Sequence, residues 1–96
     1  MTGWEGPDAI TLDGFTWDEG KNQSNIEKHG VDFDEAATCF STGREKRFAR
    51  SRLKGEVRWI LQGSSDLGRP LTVIFRLDKV KKGTVARIIS AWRQDR

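Results

Sequence analysis

Apolar positions along this chain follow two periods, first that of a helix and then that of a strand. Phe33, Ala36, Ala37 and Phe40 fall at i, i+3, i+4 and i+7, one apolar stripe on a short helix. Asp32 opens that helix, and Glu35 three residues on has the capping-box spacing. A first helix precedes it. Trp17-Asp18 reads as the end of a short strand followed by an N-cap, the helix runs to Lys28-His29, and Gly30 takes the left-handed C′ position. After a turn at Ser41-Thr42-Gly43 the period changes to two. Val57, Trp59 and Leu61 alternate with Arg58, Ile60 and Gln62, and Leu71, Val73, Phe75 and Leu77 alternate with Thr72, Ile74 and Arg76. The apolar faces of these two strands are expected to meet the helices, with Arg58, Gln62, Thr72 and Arg76 facing solvent or ligand. Thr84 to Trp92 is the last strand, entered through a basic connection from Asp78 to Gly83. Arg87 and Ser90 lie three residues apart in it, so a regular strand can point only one of them outward.

The stretch Arg44 to Arg52 carries one large apolar residue, Phe48, among many charges, and reads as an edge strand running into a loop. The predicted order is therefore β-α-α-β-β-β-β. It describes an α+β layer, two N-terminal helices packed on one face of a mostly antiparallel sheet. Residues 1–13 have two Gly, one Pro and no clear period, and read as an extension to a single domain over 14–96.

Ninety-six residues make one small domain with a thin core. No run approaches the roughly 20 apolar residues of a membrane span, and the N-terminus lacks the shape of a signal peptide. A single cysteine, Cys39, cannot form an internal disulfide, which agrees with a cytoplasmic location. It lies beside the apolar stripe and reads as a small packing residue, a reactive thiol being the alternative. Charge changes the picture more. Residues 1–42 hold two Lys/Arg against nine Asp/Glu, net −7, whereas residues 43–96 hold fifteen against five, net +10. The acidic half cannot neutralise the basic one, so the second half is expected to present a surface to a polyanion.

The candidate chemistry is that of cations on a sheet. One His, one Cys and no close carboxylate pair on a rigid element leave no metal set, and no cofactor is expected. Nucleotide-binding glycine motifs and a serine-nucleophile motif are missing. Arg58 and Arg76 project from the face opposite the apolar stripe and offer planar forks for phosphate oxygens; both could equally be surface arginines shielding the sheet. Lys46, Arg47, Arg50 and Arg52 either contact phosphate or serve as a charged edge that resists pairing. His29, the only histidine, is suited to proton transfer near neutrality. With Asn22, Asn25 and Ile26 it also lies on the helix face expected to dock on the sheet, which favours packing and capping, and Lys28 points elsewhere.

Phe15-x-Trp17-Asp18, Lys21, Asn25, Lys28-His29-Gly30-Val31, Phe33 and Glu35-Ala36-Ala37 resemble the opening of the BrnT family, small ribonuclease toxins of bacterial toxin–antitoxin pairs. Arg87-Ile88-Ile89-Ser90-Ala91 resembles the closing motif of that family, and Glu56-x-Arg58 with Gly63 a weaker internal pattern. The resemblance implies a RelE-like fold and a metal-independent endoribonuclease that cleaves RNA and inhibits translation and growth. It implies a cognate antitoxin, promoter DNA bound through that antitoxin, and a dimer within their complex. It adds Arg87 as a catalytic candidate, with an ion pair to the acidic helices as the alternative. Ser90 would bond backbone or fix a neighbour, and Arg93 would stabilise a leaving group or anchor the antitoxin. Trp92 stands where the family has arginine, and a base could stack on it. Many relatives continue into a basic C-terminal helix beyond the position of Arg96, so part of an RNA-binding or dimer surface is expected to be missing. Non-catalytic nucleic-acid binding, or binding of an acidic protein alone, are the rival functions for the same fold.

Overall fold

A computed structural model describes residues 12–42, 46–53 and 55–94. Most of the expected N-terminal extension, Gly43 of the first turn, Arg44 and Glu45 of the basic stretch, Lys54 and Arg96 lie outside those residues. The chain forms β1 (Gly14–Thr16), α1 (Glu19–His29), α2 (Phe33–Thr38), β2 (Arg47–Leu53), β3 (Glu56–Ser64), β4 (Pro70–Val80) and β5 (Gly83–Arg93). The five strands make one sheet in the order β1-β5-β4-β3-β2, with only β1 parallel to its neighbour. The α+β order is the one the periodicity predicts. No helix among the described residues is long and apolar enough to cross a membrane.

The local signals of the helices act as expected, with one exception. Asp18 caps α1 by accepting from the Lys21 N–H at 3.1 Å, and Gly30 takes φ 71° while its N–H closes on the Ile26 carbonyl. Asp32 caps α2, but through the Asp34 N–H. Glu35 does not close the capping box. It turns inward, because the buried Ser65 hydroxyl and the half-buried Arg69 fork on another loop hold it more strongly than the exposed end of its own helix.

The core lies between α2 and one face of the sheet. Phe33, Ala36 and Cys39 meet Leu61, Leu71, Val73, Phe75, Ala86, Ile88 and Ala91. Trp59 and Leu77 are only partly covered, so the inner face is sealed at its centre and open at its rim. Burial, reinforced by the Glu35 and Asp66 charges, pushes the Cys39 thiol up to about 12. It is a packing residue in this structure.

Two expectations for the strands are corrected. The segment from Asp78 is no loose connection: β4 continues to Val80, and the hairpin turns tightly at Lys81-Lys82. Thr72 does not face solvent. It is 5% exposed, flanked in register by the larger Gln62 and Trp92.

The first helix docks without an apolar stripe. Its buried residues are Asn22 and Asn25. Because β1 ends at Thr16, opposite Arg87, the far edge of β5 has no strand beside it from Ile88 onward. Asn25 covers that edge: its amide donates to the Ala91 carbonyl at 2.8 Å and its oxygen accepts the Ala91 N–H at 3.2 Å. The same amide donates to Val31 at 3.0 Å, while Asn22 accepts the Phe33 N–H at 2.8 Å. Asn25→Ala would leave both Ala91 groups unpaired under a helix, at a cost of about 2 kcal/mol. Urea unfolding should register that loss, and an unchanged midpoint would mean the edge is satisfied some other way.

Candidate functional site

The face of the sheet opposite the helices is open, and strand pairing sorts its side chains into cross-strand rows. Arg47, Gln62, Thr72 and Trp92 share one row, and Ala49, Ile60, Ile74 and Ser90 the next. The third contains Ser51, Arg58, Arg76, Arg87 and Thr16. In it Arg76 stands directly opposite Arg87, and Arg58 shares their face by parity.

Arg87 reaches that row through an irregularity in β5. Ile88 pairs with Phe75 and Ser90 with Ile74, so Ile89 is an extra residue without a partner in β4. The bulge restores phase after an odd step. Arg87 and Ser90 therefore lie on one face, which a regular strand forbids.

Carboxylates sit within the row. Asp78 takes the Nε and Nη2 edge of Arg76 at 2.9 and 3.4 Å, which fixes the fork and, with a smaller contribution from Glu56, raises the guanidinium pKa further. Glu56 lies between two arginines, with one oxygen 3.2 Å from Arg76 Nη1 and the other 3.6 Å from Arg58 Nη2. The Nε of Arg58 is shielded from solvent and has no hydrogen-bond partner among the described residues. Arg87 has no carboxylate partner among them either. A phosphate would find three guanidinium groups here, one pre-oriented, beside a carboxylate held by few contacts. The periodicity alone places Arg58 and Arg76 on this face. Glu56 and Asp78 are missed by it; the only earlier signal for Glu56 is the Glu56-x-Arg58 pattern.

The remaining sequence candidates lie elsewhere. Arg50 and Arg52 share the face of Phe48, not that of the arginine row, and the Arg50 guanidinium lies 5.8 Å from the centre of the Trp59 ring. Lys46 donates to the Thr42 carbonyl at 3.1 Å, and with Arg47 it lines a shallow groove across the end of the sheet where β2, β3 and β4 meet. His29 is exposed, contrary to the packing expected for it, because Asn22 and Asn25 form the docking face. Together with Lys28, Gly30, Arg69, Trp92 and Arg93 it lines a cleft of about 740 Å³ at the end of α1. Lys28 thus faces the same space as His29, although the helical spacing suggests it points elsewhere.

Beneath this cleft lies a network whose members are far apart in the sequence. Glu35 accepts from both Arg69 Nε, at 2.9 Å, and Arg69 Nη2, and from the Ser65 hydroxyl at 2.6 Å. Arg69 Nη2 also donates to the Gly30 carbonyl at 3.3 Å, tying the β3–β4 loop to the end of α1. The hydrogen bond from Arg69 holds the Glu35 carboxyl below the usual carboxylate range, against the opposing effect of burial.

The sequence profile of a family described as the ribonuclease toxin, BrnT, of type II toxin–antitoxin systems matches residues 17–96. The crystal structure of the Brucella abortus ribonuclease toxin BrnT is similar to this fold with a TM-score of 0.60. The two chains are 26% identical, over 90% of this chain and 100% of the other. No curated protein gives a significant match.

Proposed function

The chain belongs to the BrnT family of ribonuclease toxins of type II toxin–antitoxin systems, and from that premise we propose that it cleaves RNA on the open sheet face, at the row of Arg58, Arg76 and Arg87. The observation that carries this reading is the Ile89 bulge, which sets Arg87 beside Arg76. Without it the closing motif would direct that arginine away from Ser90 and split the cationic row from its continuation along β5.

The chemistry assigned to the row is attack by the neighbouring 2′-hydroxyl. Glu56 accepts the 2′-OH proton and the 2′-oxygen forms a bond to phosphorus. The bond from phosphorus to the 5′-oxygen breaks, and that oxygen leaves with a proton from solvent. The products are a 2′,3′-cyclic phosphate and a 5′-hydroxyl end. Arg87 and Arg58 hold the non-bridging oxygens as charge accumulates on them, and Arg76 presents Nη1 while Asp78 keeps its fork in place. Glu56 is suitable as the base because it lies against the phosphate-binding forks, and the 2′-hydroxyl sits on the ribose carbon next to the one that carries the phosphate.

A cognate antitoxin is implied by the family. We assign its contact to this same open face, where covering the row would block RNA, and assign promoter binding to the antitoxin within a dimeric complex. The single buried cysteine suits a cytoplasmic site of action.

Arg87→Lys keeps the charge and removes the planar fork. Cleavage of single-stranded RNA by the purified variant should fall roughly tenfold, with thermal stability unchanged. Wild-type cleavage by the lysine variant would remove Arg87 from the mechanism and the bulge from the argument.

A further inference from the structure

We propose that the cleft between the end of α1 and β5 is a nucleobase subsite, in which one base of the RNA, a few nucleotides from the scissile phosphate, stacks on Trp92. The assignment rests on the RNA-cleaving reading of the sheet face and adds a point of recognition to it.

Trp92 is 36% exposed at the end of the last strand, which leaves part of the indole open to a ligand. Its ring centre lies 6.1 Å from that of His29, with the planes inclined at 47°. A base cannot enter between the two rings, because that would need about 7 Å, twice a van der Waals separation. The base therefore lies on the outer indole face, and the imidazole stands at its rim as a hydrogen-bonding group. Lys28 lines the same cleft and supplies positive charge for the backbone of that nucleotide, while Arg69, held by Glu35, forms part of the wall.

The position of the cleft fits a strand that leaves the arginine row. Trp92 pairs with Thr72 and Arg87 with Arg76, four residues apart on β4 and on the same face. At roughly 3.4 Å per residue the rows are about 14 Å apart. That distance is spanned by no more than about four nucleotides, each ~3.4 Å along a stacked strand. Between the two, a groove lined by Lys21, Asn25, Lys28, His29, Ile89 and Ser90 follows α1 beside the bulge. It joins Ser90, the neighbour of the row, to His29, the neighbour of Trp92. An acidic protein segment would use the cations of this path and would have no need of the indole. A nucleobase uses both.

Uncleavable 2′-O-methyl RNA hexamers, each with one abasic position, test the subsite by fluorescence anisotropy. With the wild-type protein, one position should weaken binding about tenfold when its base is removed, and the others little. In Trp92→Ala the scan should become flat, and in Trp92→Phe the sensitive position should remain. A flat scan with the wild-type chain, or a sensitive position that survives in Trp92→Ala, would overturn the proposal. So would a Trp92→Ala variant that keeps the scan but loses an antitoxin, since the cleft would then be a protein contact. Binding of these hexamers does not depend on cleavage, so failure of the arginine row as a catalyst would leave the scan readable.

Discussion

Glu56→Gln should lower the RNA cleavage rate by a factor of about 10² to 10⁴, the range for loss of a positioned general base, while leaving affinity for RNA intact or improved. The two carboxylate oxygens of Glu56 touch Arg76 and Arg58 at 3.2 and 3.6 Å. Glutamine preserves the shape and one acceptor and removes the capacity to take up a proton. The rival account of the same contacts is that Glu56 only neutralises the arginines. It predicts the opposite sign, because removing a negative charge from a phosphate site would then strengthen binding and raise cleavage together. Single-turnover cleavage measured beside binding of an uncleavable 2′-O-methyl oligonucleotide separates the two. Faster cleavage by the variant would end the assignment of Glu56 as base. Asp78 is a useful contrast, since it grips the opposite edge of the Arg76 fork and positions it.

Glu35→Gln should destabilise the folded chain by about 2–3 kcal/mol near neutral pH. Breaking a buried pair costs roughly 3–5 kcal/mol, and the Arg69 side chain, 30% exposed, recovers part of that through solvent. For a domain of this size the melting temperature should fall by about 10 °C or more. The sign with pH follows from the direction of the Glu35 shift. Its carboxyl in the folded chain titrates below the ordinary value of 4.5, chiefly because of the Arg69 hydrogen bond. The stabilisation is therefore complete above that ordinary value and is lost as pH falls through the lower folded one. Urea unfolding of both proteins at neutral and at acid pH should show the gap between them closing on the acid side. A gap that stays constant would mean that the charge of Glu35 is not what the network uses. The variant should also loosen the α1 cleft, since Arg69 joins Glu35 to the Gly30 carbonyl.

Much of the fold was legible because its signals are local. Asp18, Gly30 and Asp32 act on backbone groups within a few residues, and the alternation of Val57–Gly63 and Leu71–Leu77 needs only the two-residue pleat. The same pleat placed Arg58 and Arg76 on one face, and the uneven distribution of charge identified the second half of the chain as the cationic one. Where local rules were read too far, tertiary partners decided otherwise. Glu35 has the spacing of a capping box, yet the half-buried fork of Arg69, 34 residues on, is the stronger partner. His29 and Asn25 share a helical face, yet only Asn25 meets a strand edge, so the histidine is left in solvent.

By itself, then, the sequence determined the kinds and order of the elements, the inward and outward faces of the two regular strands, and, through its two end motifs, the family. Three things were decided only in the folded chain: the Ile89 bulge that brings Arg87 to Arg76, the place of Glu56 between two arginines, and the meeting of His29 with Trp92. The physical reason is common to all three. Each depends on register between segments distant in the chain, and register is set by the sum of pairing and burial over the whole sheet, which no single window of the sequence contains.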